Sequence, residues 1–184
     1  MPVWGWIIVI AVVAIAIVAL IARQISASRR SSRLRDRFGP EYDRVAGTTG
    51  SKRDAESELS AREERREDLD VKPLPDASRE RYIEWWRTVQ AQFVDDPRSA
   101  IRAADDLIQS VMAERGYPVE DFEQRAADLS VDHPDLVQNY RKGHRLAETS
   151  RDNGASTEDL RQAMTHFRAL FEELVEPAPG SRAA

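Results

Sequence analysis

"DPRSAIRAADDLIQSVMAERG", residues 96–116, carries apolar side chains at Ala100, Ile101, Ala104, Leu107, Ile108, Val111 and Met112. They recur three and four residues apart, which gathers them on one face of a helix. Asp96 suits the N-cap, Pro97 the first turn and Gly116 the exit. Asp95 and Asp96 then belong to a cap, and Asp105 and Asp106 to a solvated face, rather than to a cation site. The flanking segments repeat the pattern. "SRERYIEWWRTVQAQFV" (78–94) aligns Tyr82, Trp86, Val89 and Phe93. "VEDFEQRAADL" (119–129) turns Phe122, Ala126 and Leu129 inward, and "PDLVQNYRKGHRLAETSRDNG" (134–154) does so with Leu136, Val137, Tyr140 and Ala147. "STEDLRQAMTHFRALFEELVE" (156–176) opens with Ser156 and Asp159 in a capping-box spacing and lines up Leu160, Ala163, Met164, Phe167, Leu170, Phe171 and Leu174. No segment after residue 22 alternates with period two. The expected class is all-α, with a bundle of about five helices over residues 76–176 and a disordered tail at 177–184.

The other end of the chain differs in kind. "VWGWIIVIAVVAIAIVALIA", residues 3–22, has no charge and no hydrogen-bonding side chain beyond the indoles of Trp4 and Trp6. Twenty helical residues span about 30 Å, the thickness of a bilayer core. A helix apolar on every face calls for an apolar surrounding on every face. The run is too long, and lacks the preceding basic residues, for a cleaved signal peptide. A transmembrane helix is therefore expected, with residues 1–2 as an outside stub and Trp4 and Trp6 as interfacial anchors.

Charge is unevenly distributed. The chain of 184 residues is 32% charged with a net charge of −5. Residues 23–44 hold seven arginines against Asp36, Glu41 and Asp43, a net of +4, which leaves −9 on residues 45–184. Arg23, Arg29, Arg30, Arg33, Arg35 and Arg37 follow the apolar run closely, and no basic residue precedes it. They read as membrane-surface contacts that hold the C-terminal part on the cytoplasmic side and the N-terminus outside. The lipid bilayer is thus one expected partner. Nucleic acid is not, because the remainder of the chain is acidic and repels phosphate. "FGPEY" breaks the helix near Gly39, and Phe38 and Tyr42 lie either on the bilayer or against the domain behind. Residues 45–75 mix charges of both signs around two distant leucines, Leu59 and Leu69, and read as a charged spacer, helical or disordered.

Chemistry is sparsely advertised. Cysteine is absent, so thiolate zinc sites and cysteine nucleophiles are excluded. Glycine-rich phosphate loops and nucleophile elbows are missing too. "SVDHP" sets Asp132 beside His133 just before Pro134. That pattern fits a helix start, with Asp132, His133 or Ser130 as the cap, better than a catalytic dyad without a nucleophile. His144 and Glu148 share a helix face, and His133 and His166 complete a conceivable three-histidine site, but no specific zinc spacing is present. No catalytic residue, metal ligand or cofactor is assigned on this reading. Trp85 and Trp86 point about 100° apart on a helix, so one faces the core and the other a partner or the membrane. The leading expectation is a membrane-anchored helical scaffold that binds a protein partner. The alternatives are a membrane-tethered hydrolase or metal-dependent enzyme using His133, His144 and His166, and a secreted or outward-facing helical domain.

At "RFGPEYDR", "VQAQFVDDP", "ADDLIQSVMAERGYPVEDFEQRAADLSVDHP" and "TEDLRQAMTHFRALFEELV" the chain resembles a family of uncharacterised bacterial proteins common in high-GC Gram-positive genomes. These are membrane-anchored or secreted proteins. The resemblance implies a bacterial, membrane-associated protein and carries no activity and no catalytic residues with it.

Overall fold

The structure is a computed structural model that describes residues 3–151 and 154–176, with the side chains at positions 3–11, 14, 27 and 151 outside the description. The described residues form helices and connecting turns, without a strand. In chain order the helices are α1 (Val3–Phe38), α2 (Pro40–Thr49), α3 (Lys52–Glu67), α4 (Asp76–Asp95), α5 (Pro97–Arg115), α6 (Phe122–Asp132), α7 (Pro134–Arg151) and α8 (Thr157–Val175).

Helices α4–α8 enclose the larger core. α5 lies at its centre, against α4, α7 and α8. The residues that set its stripe, from Ala100 to Met112, are all buried. Asp96 accepts from the Ser99 amide at 3.1 Å, and Gly116 ends the helix in the left-handed region at φ 97°. Gly116 has a second reason to be glycine. A Cβ there would stand 2.5 Å from the backbone oxygen of Asp70, where the incoming chain runs against the end of α5. Ser156 and Asp159 close a reciprocal capping box on α8. α7 and α8 approach closely because Gly143 has no side chain. A Cβ at that position would meet the Phe167 ring at 2.9 Å. Trp86 stacks on Phe171 inside the bundle, whereas Trp85, one position earlier, is 40% exposed. Asp105 does not lie on a solvated face; it is buried, while Asp106 is exposed.

A second, smaller core lies beside the bundle. Leu34 and Phe38 of α1, Tyr42 and Val45 of α2, and Ala55 and Leu59 of α3 pack together with Val131 of α6. Gly39 turns the chain at φ 48°, and Pro40 starts α2. Phe38 and Tyr42 therefore dock on the protein. Residues 45–75, read from sequence as a spacer, hold the end of α2 and all of α3. Ser51 caps α3, and Lys52–Glu56 and Glu58–Arg62 pair along it. Its buried face is Ala55, Leu59, Arg62 and Glu63, at helical spacing. We call α2, α3 and the end of α1 the stem layer.

The stem helix is continuous from Val3 to Phe38. Val12, Val13, Ile15, Ile17, Val18, Leu20, Ile21 and Ile25 project from it, each 48–69% exposed. The first half of the apolar run, with Trp4 and Trp6, lies outside the described side chains. Among the described residues no helix is long and apolar enough to cross a membrane.

Two consequences are measurable by urea unfolding. Leu107→Ala opens a cavity at the centre of the bundle and is expected to lower stability by about 2–5 kcal/mol. Residues 76–176 alone keep α4–α8 but lose the stem layer that covers α6 and α7. That fragment is expected to unfold at a lower urea concentration than one comprising residues 23–176; equal midpoints would show that the stem layer adds no stability.

Candidate functional site

The densest arrangement of charge is the seam where the stem layer meets α6 and α7. Glu41 of α2 is fully buried there. Arg44 reaches it from one turn along the same helix with two hydrogen bonds, at 2.7 and 2.8 Å. Arg62 of α3 donates at 2.8 Å, and Gln138 of α7 at 2.8 Å. Arg141 of α7 stands 3.5 Å away and donates to Glu123 at 2.5 Å. Burial pushes the Glu41 carboxyl up, but the hydrogen bonds from Arg44 and Arg62 and the charge of Arg141 outweigh it. The carboxyl is held below its usual range. Two further ion pairs extend the seam along α6. Arg65 donates to the buried Asp128 at 2.9 Å, and Arg66 to Asp132 at 2.5 Å. Beside these a groove opens, rimmed by Arg44, Glu58, Arg65, Asp121 and Glu123. Its charges are of both signs and each is engaged by a neighbour, Arg44 by Glu41, Glu58 by Arg62, Arg65 by Asp128, Glu123 by Arg141 and Asp121 by the Gln124 amide, so the seam joins two layers.

Asp132 is the last residue of α6 rather than the cap of α7. Its carboxylate is taken up by Arg66 and by the Tyr117 hydroxyl, which donates at 2.5 Å. Burial, then the bond and charge of Asp132, raise the Tyr117 phenol well above its ordinary value. His133 closes α6, and its carbonyl accepts from Leu136 and Val137 as α7 begins. The junction is thus a helix start, and of the three cap candidates His133 takes the position, through its backbone carbonyl.

The three histidines lie in three separate settings. His133 Nδ1 is 3.2 Å from Glu173 of α8. Burial lowers its pKa more than Glu173 raises it. His144 stacks on Phe122 at 3.6 Å between ring centres, 3.6 Å from Asp105 and 4.0 Å from Glu148. His166 lies beside Lys142 and Arg145 on the α7–α8 surface. Burial and then the charge of Lys142 lower its pKa. Among the described residues no three acidic or imidazole side chains come together in a way that could hold a metal ion.

The stem arginines divide into two groups. Arg33 and Arg37 pair with Glu63 at 2.8 and 3.1 Å, and Arg35 lies over the Tyr42 ring and 3.6 Å from Asp43. Arg30 donates to Ser60, and Arg23 and Arg29 make no ion pair among the described residues. The sequence reading passed over Glu41, Arg62, Asp128 and Arg141, the groups that organise the seam. The available signal was the spacing of Leu34, Phe38, Tyr42 and Val45, which continues one apolar stripe through the Gly39 break. No protein-family model matches the chain, and no curated protein or solved structure proves similar to it.

Two outcomes follow from these geometries. Glu41→Gln strands buried arginine charge, and is expected to lower unfolding free energy by about 3–5 kcal/mol. Glu123→Gln, at a carboxylate 70% exposed, is expected to change it by no more than about 1 kcal/mol. Similar losses in both would show that Glu41 is not the organising charge. The second outcome concerns pH. Between the ordinary imidazole value of 6.5 and its lower value in the fold, His133 binds a proton in the unfolded chain and not in the folded one. Its contribution is complete above pH 6.5 and declines as the pH falls, by at most about 1.4 kcal/mol per pH unit. His133→Gln should flatten that decline in urea titrations run on either side of pH 6.5.

Proposed function

We propose that this chain is a single-pass membrane protein whose acidic helical domain binds a protein partner at the cytoplasmic face. One observation carries the reading. A single helix continues from the charge-free run into the small core, where Leu34 and Phe38 are buried, while Val12, Val13, Ile15, Ile17, Val18, Leu20, Ile21 and Ile25 stay exposed among the described residues. Exposed apolar side chains in such number need an apolar surrounding, and the length of residues 3–22 matches a bilayer core. The arginines that follow the run favour the cytoplasmic side for everything after it. The domain offers Trp85 and the 82% exposed Val94 on opposite flanks of α4, apolar side chains of the sort that protein partners cover.

The reading is tested by topology. A phosphatase reporter that is active only outside the membrane, fused after Ala184, is expected to be silent, and a cytoplasmic reporter at the same place active. Replacing Arg23, Arg29 and Arg30 with Gln should weaken that preference, while leaving the paired Arg33 and Arg37 untouched. An active external reporter would support an outward-facing domain. Extraction of the whole chain by alkaline carbonate would remove the anchor altogether.

A further inference from the structure

Folding of residues 45–75 brings a second set of basic side chains up beside the stem. Contacts between α1 and α3 run in the same direction from Ser31–Glu56 to Arg37–Glu63, and the long Arg30 side chain reaches along to Ser60. Ser31 donates to Glu56, Arg30 to Ser60, and Arg33 and Arg37 pair with Glu63. α3 therefore runs parallel to α1, and its first residues point back towards the apolar run. Lys52 lies four residues before Glu56, so at about 1.5 Å per residue it stands roughly 6 Å beyond Ser31, level with about residue 27. The charge-free run ends at Ala22, roughly 7.5 Å further along the same helix. A bilayer carries about 5–8 Å of polar headgroup layer on each side of its core. The turn between α2 and α3 falls within that layer whenever residues 3–22 fill the core.

The chemistry of the turn agrees with the position. Lys52 and Arg53 are exposed and occupy the first turn of α3. Basic side chains are unfavourable there, because the helix N-terminus is already positive and its amide groups seek acceptors. Ser51 satisfies one of those amides, that of Asp54, at 3.4 Å. Arg53 makes no ion pair among the described residues, nor do Arg23 and Arg29 on the stem, and Lys52 is 3.8 Å from Glu56. Arg23, Arg29, Lys52 and Arg53 thus form one basic end of the stem layer, beside the end of the apolar run, while Arg30 is held on Ser60. We propose that the α2–α3 turn is a bilayer-docking surface, with Lys52 and Arg53 joining Arg23 and Arg29 on the headgroups of an anionic lipid bilayer. The domain then rests on the membrane in one attitude. The proposal depends on the reading of residues 3–22 as the anchor.

The chain has no cysteine, so a single introduced one can be labelled uniquely. The full chain carrying Thr48→Cys, at the turn, or Glu67→Cys, at the far end of α3, is reconstituted with a fluorophore on the thiol. The vesicles are phosphatidylcholine alone, or an equal mixture with phosphatidylglycerol, each with a quencher on a fraction of the headgroups. In the anionic vesicles the label at position 48 is expected to be quenched and the label at 67 not. Lys52→Gln with Arg53→Gln should lower the docked-to-undocked ratio about 30-fold, from about 1 kcal/mol per basic residue at such a surface. Phosphatidylcholine vesicles should give weaker quenching at 48. A vesicle-bound chain with position 48 unquenched, or quenched equally in the double variant, overturns the docking proposal and leaves the anchor intact. A chain recovered free of both kinds of vesicle overturns the anchor reading as well.

Discussion

The carboxylate of Glu41 holds the molecule together across its seam. Removing a carboxylate from water is expensive, and the expense is met here by hydrogen bonds from Arg44, Arg62 and Gln138 and by the charge of Arg141, groups on three helices. Arg44 comes from α2 itself, Arg62 from α3, and Arg141 and Gln138 from α7. None of these groups could be buried alone. Their joint burial fixes the angle at which the stem layer meets the bundle, because hydrogen-bonded charges tolerate far less displacement than apolar contacts do. Val131, the α6 member of the small core, lies between Ser130, a further partner of Arg62, and Asp132, the partner of Arg66. Apolar and ionic contacts at the seam therefore reinforce the same register.

The bundle was legible in the sequence because its faces are chemically pure. In α5 every buried position but Asp105 is apolar, so the helical period shows directly. The stem layer was harder to read for the opposite reason. On α3 the buried face consists of Ala55, Leu59, Arg62 and Glu63, and a pattern search that counts charges as solvated sees two residues there instead of four. Its other half, Leu34 to Val45, crosses a Gly-Pro break that suggests an ending, whereas the chain reverses and keeps its stripe. The candidate site shows the same asymmetry. Neighbours in sequence, such as Asp132 and His133, drew notice, but Asp132 turns to Arg66 and Tyr117 and His133 to Glu173. Pairings like Glu41 with Gln138, 97 positions apart, leave no local trace.

The uneven charge takes on a different meaning once the fold is in view. Part of the basic segment is spent on the protein itself. Arg33, Arg37 and Arg44 meet Glu63 and Glu41, acidic groups of the stem layer. Among the described residues those without an ion pair gather towards the apolar end, so the boundary between paired and unpaired arginine falls within α1 near residue 30.

The continuity of α1 with the small core sets an order of events during synthesis. Leu34 and Phe38 leave the ribosome long before Leu59, and longer still before Val131, Gln138 and Arg141. Translation delivers residues at about 5–20 per second, so roughly a hundred residues separate the stem from its last partners by several seconds. In that interval Glu41 keeps its water and the apolar segment ahead of it is already exposed. Whatever environment receives residues 3–22 therefore does so while the segment behind them is still an unclosed helical hairpin, and the domain locks onto a stem whose position has been chosen.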